Sequence, residues 1–459
     1  MLLRIDQIAE ATGGRVIGAG EGEVQGISTD SRSVQPGDLF IPLRGARFDG
    51  HEFIGAMAGM GVGVILAEES WLATHESPAA TCVAVPDTLR ALGDLAAYHR
   101  DRYDIPLAGI TGSNGKTTCK EMLAAILGQI GPGLKTGGNL NNLIGLPLML
   151  FSLGAEHTWA VLEMGMSEPG EIDRLAEIAA PQVGIVLNVF PAHLESMGTV
   201  ENVARAKGEL LLRLPAGGCA VVNADDPLVA SLPLPAGVRR LTFGLSDADI
   251  RASSIRSRGL DGQEFILHIG NEAAAVALAA YGTHSIYNAL AAAAAAHALG
   301  ITAGIIANGL RLFRPYDKRF QLERAGGIIL IDDSYNANPA SAAAALATLA
   351  GLKGGRSAFV ALGDMLELGA DEAALHHAIG RQAAGVADRL YLFGTLSANC
   401  ADGARSAGMP AETVVQGLTR DEIAADIIAR AQEGDLVLLK GSRGMKMDVI
   451  AGIIRNRTL

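Results

Sequence analysis

The sequence predicts an α/β protein of three domains, and three observations carry that expectation. From residue 105 onward, short apolar runs of strand type alternate with stretches whose apolar side chains recur at helical spacing, the pattern of a parallel sheet with crossover helices. A glycine turn joins one such run directly to a helix start within residues 105–127. The length of 459 residues exceeds one ordinary core and, at roughly 150 residues per domain, makes about three.

Composition agrees with that class. Hydrophobic residues form 49% of the chain while aromatics form only 4%, so several cores can be filled by closely packed Ala- and Gly-rich layers. The net charge of −12 argues against a nucleic-acid partner, so an anionic substrate must meet a local basic site rather than a global field. Cys82, Cys119, Cys219 and Cys400 stand far apart with no CxxC pair, which disfavours a disulfide framework or a zinc site. The start, Met1-Leu2-Leu3-Arg4-Ile5-Asp6, lacks the apolar core of a signal peptide. The most apolar window, residues 289–301, is alanine-dominated and too short for a membrane span. The expectation is a cytoplasmic protein with no membrane span.

Residues 1–100 alternate short apolar runs with turn signals such as Gly13-Gly14 and Pro36-Gly37-Asp38, and read as a small α/β domain. The polar stretch at residues 98–104 reads as a linker. In the second domain, residues 101–313, strands are expected at 107–110, 159–163, 183–189 and 219–223. A long helix from Ser285 to about Leu299 closes it. A charged break, Arg314-Pro315-Tyr316-Asp317-Lys318-Arg319, then opens the third domain, residues 314–459, with strands at 327–332, 358–362, 389–393 and 435–440.

The most informative segment is Thr111-Gly112-Ser113-Asn114-Gly115-Lys116-Thr117-Thr118. Strand, glycine turn and helix start together form a phosphate cradle, because backbone N–H groups and the positive end of the helix dipole face the same anion. Lys116 adds a mobile charge for the outer phosphates, and the Thr117 hydroxyl can ligate Mg. The spacing departs from the usual Walker form, which wants glycine where Ile110 stands.

Ligands of parallel α/β sheets sit beyond the carboxyl ends of the strands, so the residues just past each strand are informative. The second strand delivers Glu163-Met164-Gly165, a carboxylate where a nucleotide's metal would lie. The third delivers Pro191-Ala192-His193-Leu194-Glu195. A lone His is usually a satisfied polar group, but three strand ends converging on one locus favour a site for His193; Glu195 has no such support. Lys207 reads by spacing as a solvated helix lysine, and Asn288 as an ordinary first-turn residue. In the third domain Asp333-Ser334-Tyr335-Asn336-Ala337-Asn338-Pro339 follows a strand and opens a helix, with more polar side chains than a cap requires. Gly441-Ser442-Arg443-Gly444 follows the last strand in the same way.

Over nearly the whole length these segments resemble the Mur ligases. In the first domain the resemblance rests on Ser28-Thr29-Asp30-Ser31-Arg32, Pro36 to Phe40 and Phe48-Asp49-Gly50-His51. In the centre it rests on Thr111 to Thr118, Gly138-Asn139-Leu140-Asn141-Asn142, Glu163-Met164-Gly165, Asn188 to Glu195, Ala206-Lys207-Gly208-Glu209 and Tyr287-Asn288-Ala289. Toward the end it rests on Asp333 to Pro339, Gly363 to Gly369 and Gly441 to Gly444. The Ser-Tyr-Asn-Ala-Asn-Pro string is similar to the branch that joins D-alanyl-D-alanine to UDP-N-acetylmuramoyl-tripeptide, and the Asp-Asn-Pro-Arg string of the diaminopimelate-adding sister is absent. No presumed catalytic position departs from the family pattern.

The resemblance implies the three-domain Mur ligase architecture: an N-terminal domain for the UDP-sugar, a central phosphate-loop ATPase with a parallel sheet, and a C-terminal Rossmann-like domain. It implies ATP and Mg as cofactors, both substrates above as partners, a monomer, and catalysis through an acyl phosphate. Lys116, Glu163, His193 and Lys207 would be catalytic, with metal held by Thr117, Glu163 and His193, and by Lys207 as a carbamate. ATP would contact Thr111 to Thr118 and Asn288, with Arg319 and Asp333 joining only on domain closure. Substrate contacts would fall on Ser31, Arg32, Asp49, Asn139, Asn142, Tyr335, Asn336 and Asn338. Two other readings stay open: a folylpolyglutamate synthase, which shares the phosphate loop but begins close to it, and a regulatory phosphate-loop NTPase.

Overall fold

The computed structural model describes residues 2–19, 21–45, 48–191 and 194–456. The chain is α/β as expected, with main sheets of five, nine and six strands in succession. In the first, the order is Arg15–Ile17, Thr81–Val85, Val64–Glu68, Asp38–Phe40, Gly26–Ser28, parallel except for the antiparallel Arg15–Ile17 edge. Its strands Val64–Glu68 and Thr81–Val85 are buried at every residue, as a parallel sheet covered on both faces requires.

The expected linker at 98–104 is half helix. Helix Thr88–Arg100, capped by the Asp87 carboxylate, runs through it. Leu92, Leu95, Ala96 and His99 recur on one buried face, and that spacing overrides the polar residues around it. The His99 ring packs by Tyr103 and Phe151, with Nε2 3.0 Å from the Leu153 carbonyl oxygen. The first unit is thereby anchored to the second.

The central sheet runs Leu134–Lys135, Ala160–Glu163, Leu107–Thr111, Val183–Val186, Cys219–Asn223, Arg239–Gly244, Ile250–Ser257, Gln263–Ile269, Glu272–Leu278. Its first seven strands are parallel, and the last three form an antiparallel meander. The four strands between 239 and 278 lie outside the expected set. Gln263–Ile269 alternates buried and open positions, the pattern of a sheet face covered on one side only, and the other three are buried along only part of their length. The third expected strand stops at Val186, three residues early, because the chain turns there to bring Asn188 beneath the phosphate loop.

Leu107–Thr111 is the switch point of this sheet, since the chain leaves it first toward one edge and later toward the other. A crevice therefore opens beyond its carboxyl end. Helix Thr283–Ala298 packs against the phosphate-loop helix Lys116–Leu127 and the sheet. Ala289 and Ala291 to Ala296 are fully buried there, small side chains that let helix and sheet approach closely.

The third sheet runs Gln321–Ala325, Ile328–Asp333, Leu436–Lys440, Ala358–Gly363, Arg389–Phe393, Val414–Gln416 and is parallel after its first hairpin. Between helix Ala303–Leu312 and this sheet the backbone is irregular, and Lys318 and Phe320 hold φ of 57° and 49°. Two bulky residues in the left-handed region store strain on either side of Arg319.

Candidate active site

The carboxyl ends of the central and C-terminal sheets face one another across a cleft of about 1040 Å³. The phosphate loop forms its floor. Gly115 sits at φ 86° with Asn288 packed on it so closely that a Cβ would lie 2.3 Å from Asn288 Oδ1, so only glycine fits. Helix Lys116–Leu127 starts at Gly115 with no side-chain cap, which leaves its first-turn N–H groups for an anion. Ser113 exchanges hydrogen bonds with the Phe190 backbone, and Asn114 N–H donates to Asn188 Oδ1 at 2.9 Å. The loop is thus preorganised by the end of the third strand. Thr111 is turned away, donating its hydroxyl to the Met164 carbonyl at 2.9 Å, whereas Gly112 to Thr118 line the cleft.

Lys116 Nζ donates to the Gly112 carbonyl at 2.7 Å. Burial pushes its ammonium below the ordinary lysine range; Glu163 opposes that and Arg319 adds to it. Glu163 is 2% exposed, and its Oε2 accepts the Thr117 hydroxyl at 3.2 Å. Its Oε1 is buried and pairs with Lys120 Nζ at 3.2 Å. Lys207, on helix Val200–Leu212, is buried rather than solvated. Burial, and then Lys116, push it well below the lysine range, and no ion pair to it is found among the described residues. His193 lies outside the described residues.

From the C-terminal side, Arg319 Nη2 donates to Thr117 Oγ1 at 3.3 Å while its guanidinium stacks on Tyr335 at 3.7 Å. Its buried Nε has no partner. Asp333 accepts from Lys440 Nζ at 2.6 Å and from Phe320 N–H at 3.1 Å. The Asn338 and Asn114 side-chain amides hydrogen-bond reciprocally at 2.8 and 3.2 Å. Of the two residues expected to join only on closure, Arg319 already touches the phosphate-loop helix in this structure, whereas Asp333 pairs within its own domain. The strained turn at Lys318 and Phe320 is what aims Arg319 at the loop.

Asn139, Asn142, Tyr335, Asn336 and Asn338 line the same cleft. Ser31, Arg32 and Asp49 do not: they belong to the first unit, where Arg32 pairs with Asp30 at 2.7 Å and Asp49 lies between Arg44 and His51. Lys116, Lys207, Arg319, Lys440 and Arg443 all line the cleft, but so do Glu163, Glu171, Asp225, Asp226, Asp333 and Glu367, so cations are gathered locally without making the cleft basic as a whole. Sequence reasoning missed Lys440, although it ends a strand and the strand-end test would have found it. It also missed the fully buried Lys120. The available signal was a lysine one turn after Lys116 on an otherwise apolar helix face.

A phosphate loop at a sheet switch point, facing a second Rossmann-like sheet across a cleft lined by lysines, arginines and carboxylates, defines a nucleotide-dependent ligase of the Mur type. The chain belongs to the Mur ligase family: residues 23–100 match the Mur ligase family catalytic domain, 110–296 the Mur ligase middle domain, and 318–443 the Mur ligase glutamate ligase domain. Within that family it is 35% identical, over 99% of both chains, to the UDP-N-acetylmuramoyl-tripeptide–D-alanyl-D-alanine ligase of Escherichia coli. It superposes on MurF of Acinetobacter baumannii with a TM-score of 0.90 at 32% identity, covering 99% of each chain. The MurF ligase of Thermotoga maritima in complex with ADP matches with a TM-score of 0.84 at 28% identity, over 95% of this chain and 98% of the other.

Proposed function

We propose that the chain joins D-alanyl-D-alanine to UDP-N-acetylmuramoyl-tripeptide at the expense of ATP, in the cytoplasm, as a step of peptidoglycan synthesis. The supporting observation is the meeting of phosphate loop, Glu163, Lys207 and Arg319 in one cleft that also carries the Asn336–Asn338 amides. The N-terminal sheet of residues 15–85 favours this over a folylpolyglutamate synthase, which begins close to its phosphate loop. A regulatory NTPase would need no such acceptor unit. No helix of the described residues is long and apolar enough to cross a membrane.

In this reading the tripeptide's terminal carboxylate attacks the γ-phosphorus of ATP, and ADP leaves. The amine of D-alanyl-D-alanine then attacks the acyl phosphate carbonyl, giving a tetrahedral intermediate that expels phosphate. Carboxylate and triphosphate repel one another, so the cations of the cleft supply the needed stabilisation. Lys116 and the first-turn N–H groups hold the transferring phosphoryl, and Arg319 reaches it from the opposite wall with its unpartnered Nε.

The residues present fit Mg. A hard cation shared with substrate phosphates asks for one or two carboxylates, and Glu163 offers Oε2 beside the Thr117 hydroxyl while its Oε1 faces Lys120. Bound there, the ion would neutralise phosphate charge and polarise the phosphoryl oxygens. His193 is the remaining proposed ligand. Burial favours the neutral amine of Lys207, the form that adds CO2 to give a carbamate and a released proton. The carbamate turns a repelled cation into an oxygen ligand.

The test is phosphate release by the purified enzyme with ATP, D-alanyl-D-alanine and each UDP-tripeptide, ending in diaminopimelate or in lysine. Release requiring both acceptor and donor is expected. Hydrolysis indifferent to the UDP-tripeptide would instead favour the NTPase.

A further inference from the structure

Lys120 has no place in the reaction above, yet it is the best-buried cation near the cleft. It is 0% exposed and is not part of the cleft lining. Its ammonium has three oxygen neighbours, the Thr136 carbonyl at 2.6 Å, Glu121 Oε1 at 3.0 Å and Glu163 Oε1 at 3.2 Å. The Tyr316 ring, which does line the cleft, lies over the same nitrogen at 5.2 Å. Four segments meet at this one atom: the phosphate-loop helix, the strand end bearing Glu163, the loop leading to Asn139 and Asn142, and the irregular connection before the C-terminal sheet.

Thr136 holds the catalytic carboxylate from two directions. Its carbonyl fixes Lys120, and its hydroxyl accepts the Glu163 backbone N–H at 2.8 Å. Charges alternate outward from the cleft through Arg319, Glu163, Lys120, Glu121 and Lys135. Stability alone is a poor reason for such an arrangement, because buried ion pairs are often matched or bettered by apolar packing of equal volume. Geometry supplies a better one. The only other side-chain partner of Glu163 is the Thr117 hydroxyl at 3.2 Å among the described residues. A flexible carboxylate with that single partner could swing away from the loop.

We infer that Lys120 is a positioning residue: by drawing Oε1 of Glu163 into the protein it presents Oε2 to Thr117 and to the proposed cation site. The inference rests on the cation-site reading above and deepens it. Partners behind a ligating side chain, on removal, typically cost about 10–100-fold in metal affinity.

The test measures ADP binding by equilibrium dialysis to the intact protein with Mn²⁺ and again with EDTA, the ratio being the metal-dependent gain. Lys120→Met is expected to lose about 10-fold or more of the wild-type gain while its affinity in EDTA stays within about twofold. Glu121→Gln breaks another pair of the same lysine but spares Glu163, and is expected to keep the gain. If Lys120→Met is not recovered folded, Lys120→Gln carries the same expectation, since it keeps an N–H for Thr136 and loses the charge. A full gain in either folded Lys120 variant, or equal losses in the Lys120 and Glu121 variants, overturns the inference. No gain in the wild type overturns the cation site itself, a separate result.

Discussion

The two walls of the cleft are built alike and finished differently. Each is the carboxyl end of a parallel sheet, and each ends a strand in a carboxylate held by a buried lysine, Glu163 with Lys120 at 3.2 Å and Asp333 with Lys440 at 2.6 Å. Beyond that the chemistry diverges. On the central wall glycines expose backbone N–H groups and the helix start is left uncapped. On the C-terminal wall helix Pro339–Lys353 is closed by its own Asn338, which accepts from Ser341 N–H in a capping box. An open helix start suits a polyanion, and a self-capped one leaves recognition to side chains. The proposed function would accordingly set the phosphates against the first wall, and the uncharged and amide groups of the peptide substrates against the second.

The sharpest way to break that division is Lys116→Ala. It should reduce turnover by about 10³-fold or more, because a preorganised charge at the transferring phosphoryl is lost from a water-poor site. Near-normal turnover in the folded variant would remove the phosphates from the central wall. Arg319→Ala comes next, with an expected loss of about 10²–10³-fold in kcat. Arg319→Lys should restore little, since an ammonium cannot both stack on Tyr335 and reach Thr117 as the planar fork does. Full rescue by lysine would mean that the opposite wall supplies only charge.

Lys207→Ala is expected to cost about 10–100-fold, in line with loss of a metal-orienting group, and short carboxylic acids should restore part of it by occupying the vacated anion position. Activity that is low and insensitive to added acetate would argue against a carbamate. The smallest effect is that of Asn338→Ala. It should lower stability by about 1 kcal/mol through the lost cap, read by denaturant unfolding. It also breaks the bond to Asn114, so small-angle scattering of the ligand-free variant should show a larger radius of gyration than the wild type. An unchanged radius would leave the contact between the walls to Arg319.

How much of this was legible beforehand depends on whether the determinants are local. The strand–turn–helix of residues 107–127 depends on apolar runs and glycines a few positions apart, and the expected strand 219–223 matches residue for residue. The strands between 239 and 278 escaped, because they are only partly buried and lack the continuous buried run of the strands before them. Helix Thr88–Arg100 hid behind polar residues for a related reason, since burial of His99 depends on a carbonyl 54 residues away.

The sequence by itself determined the α/β class, the phosphate loop and the polar strand-end segments, since backbone conformation and periodicity depend on near neighbours. Tertiary structure alone decided which charges meet. Lys207 reads as a surface residue until helix Val200–Leu212 is laid against the sheet, and Lys120 reads as a helix lysine until Glu163 arrives from a strand and Thr136 from a loop. Arg319 looks like part of a charged break until two strained residues turn it onto Thr117. Electrostatic energy varies with distance and burial, and neither is defined until the chain has folded.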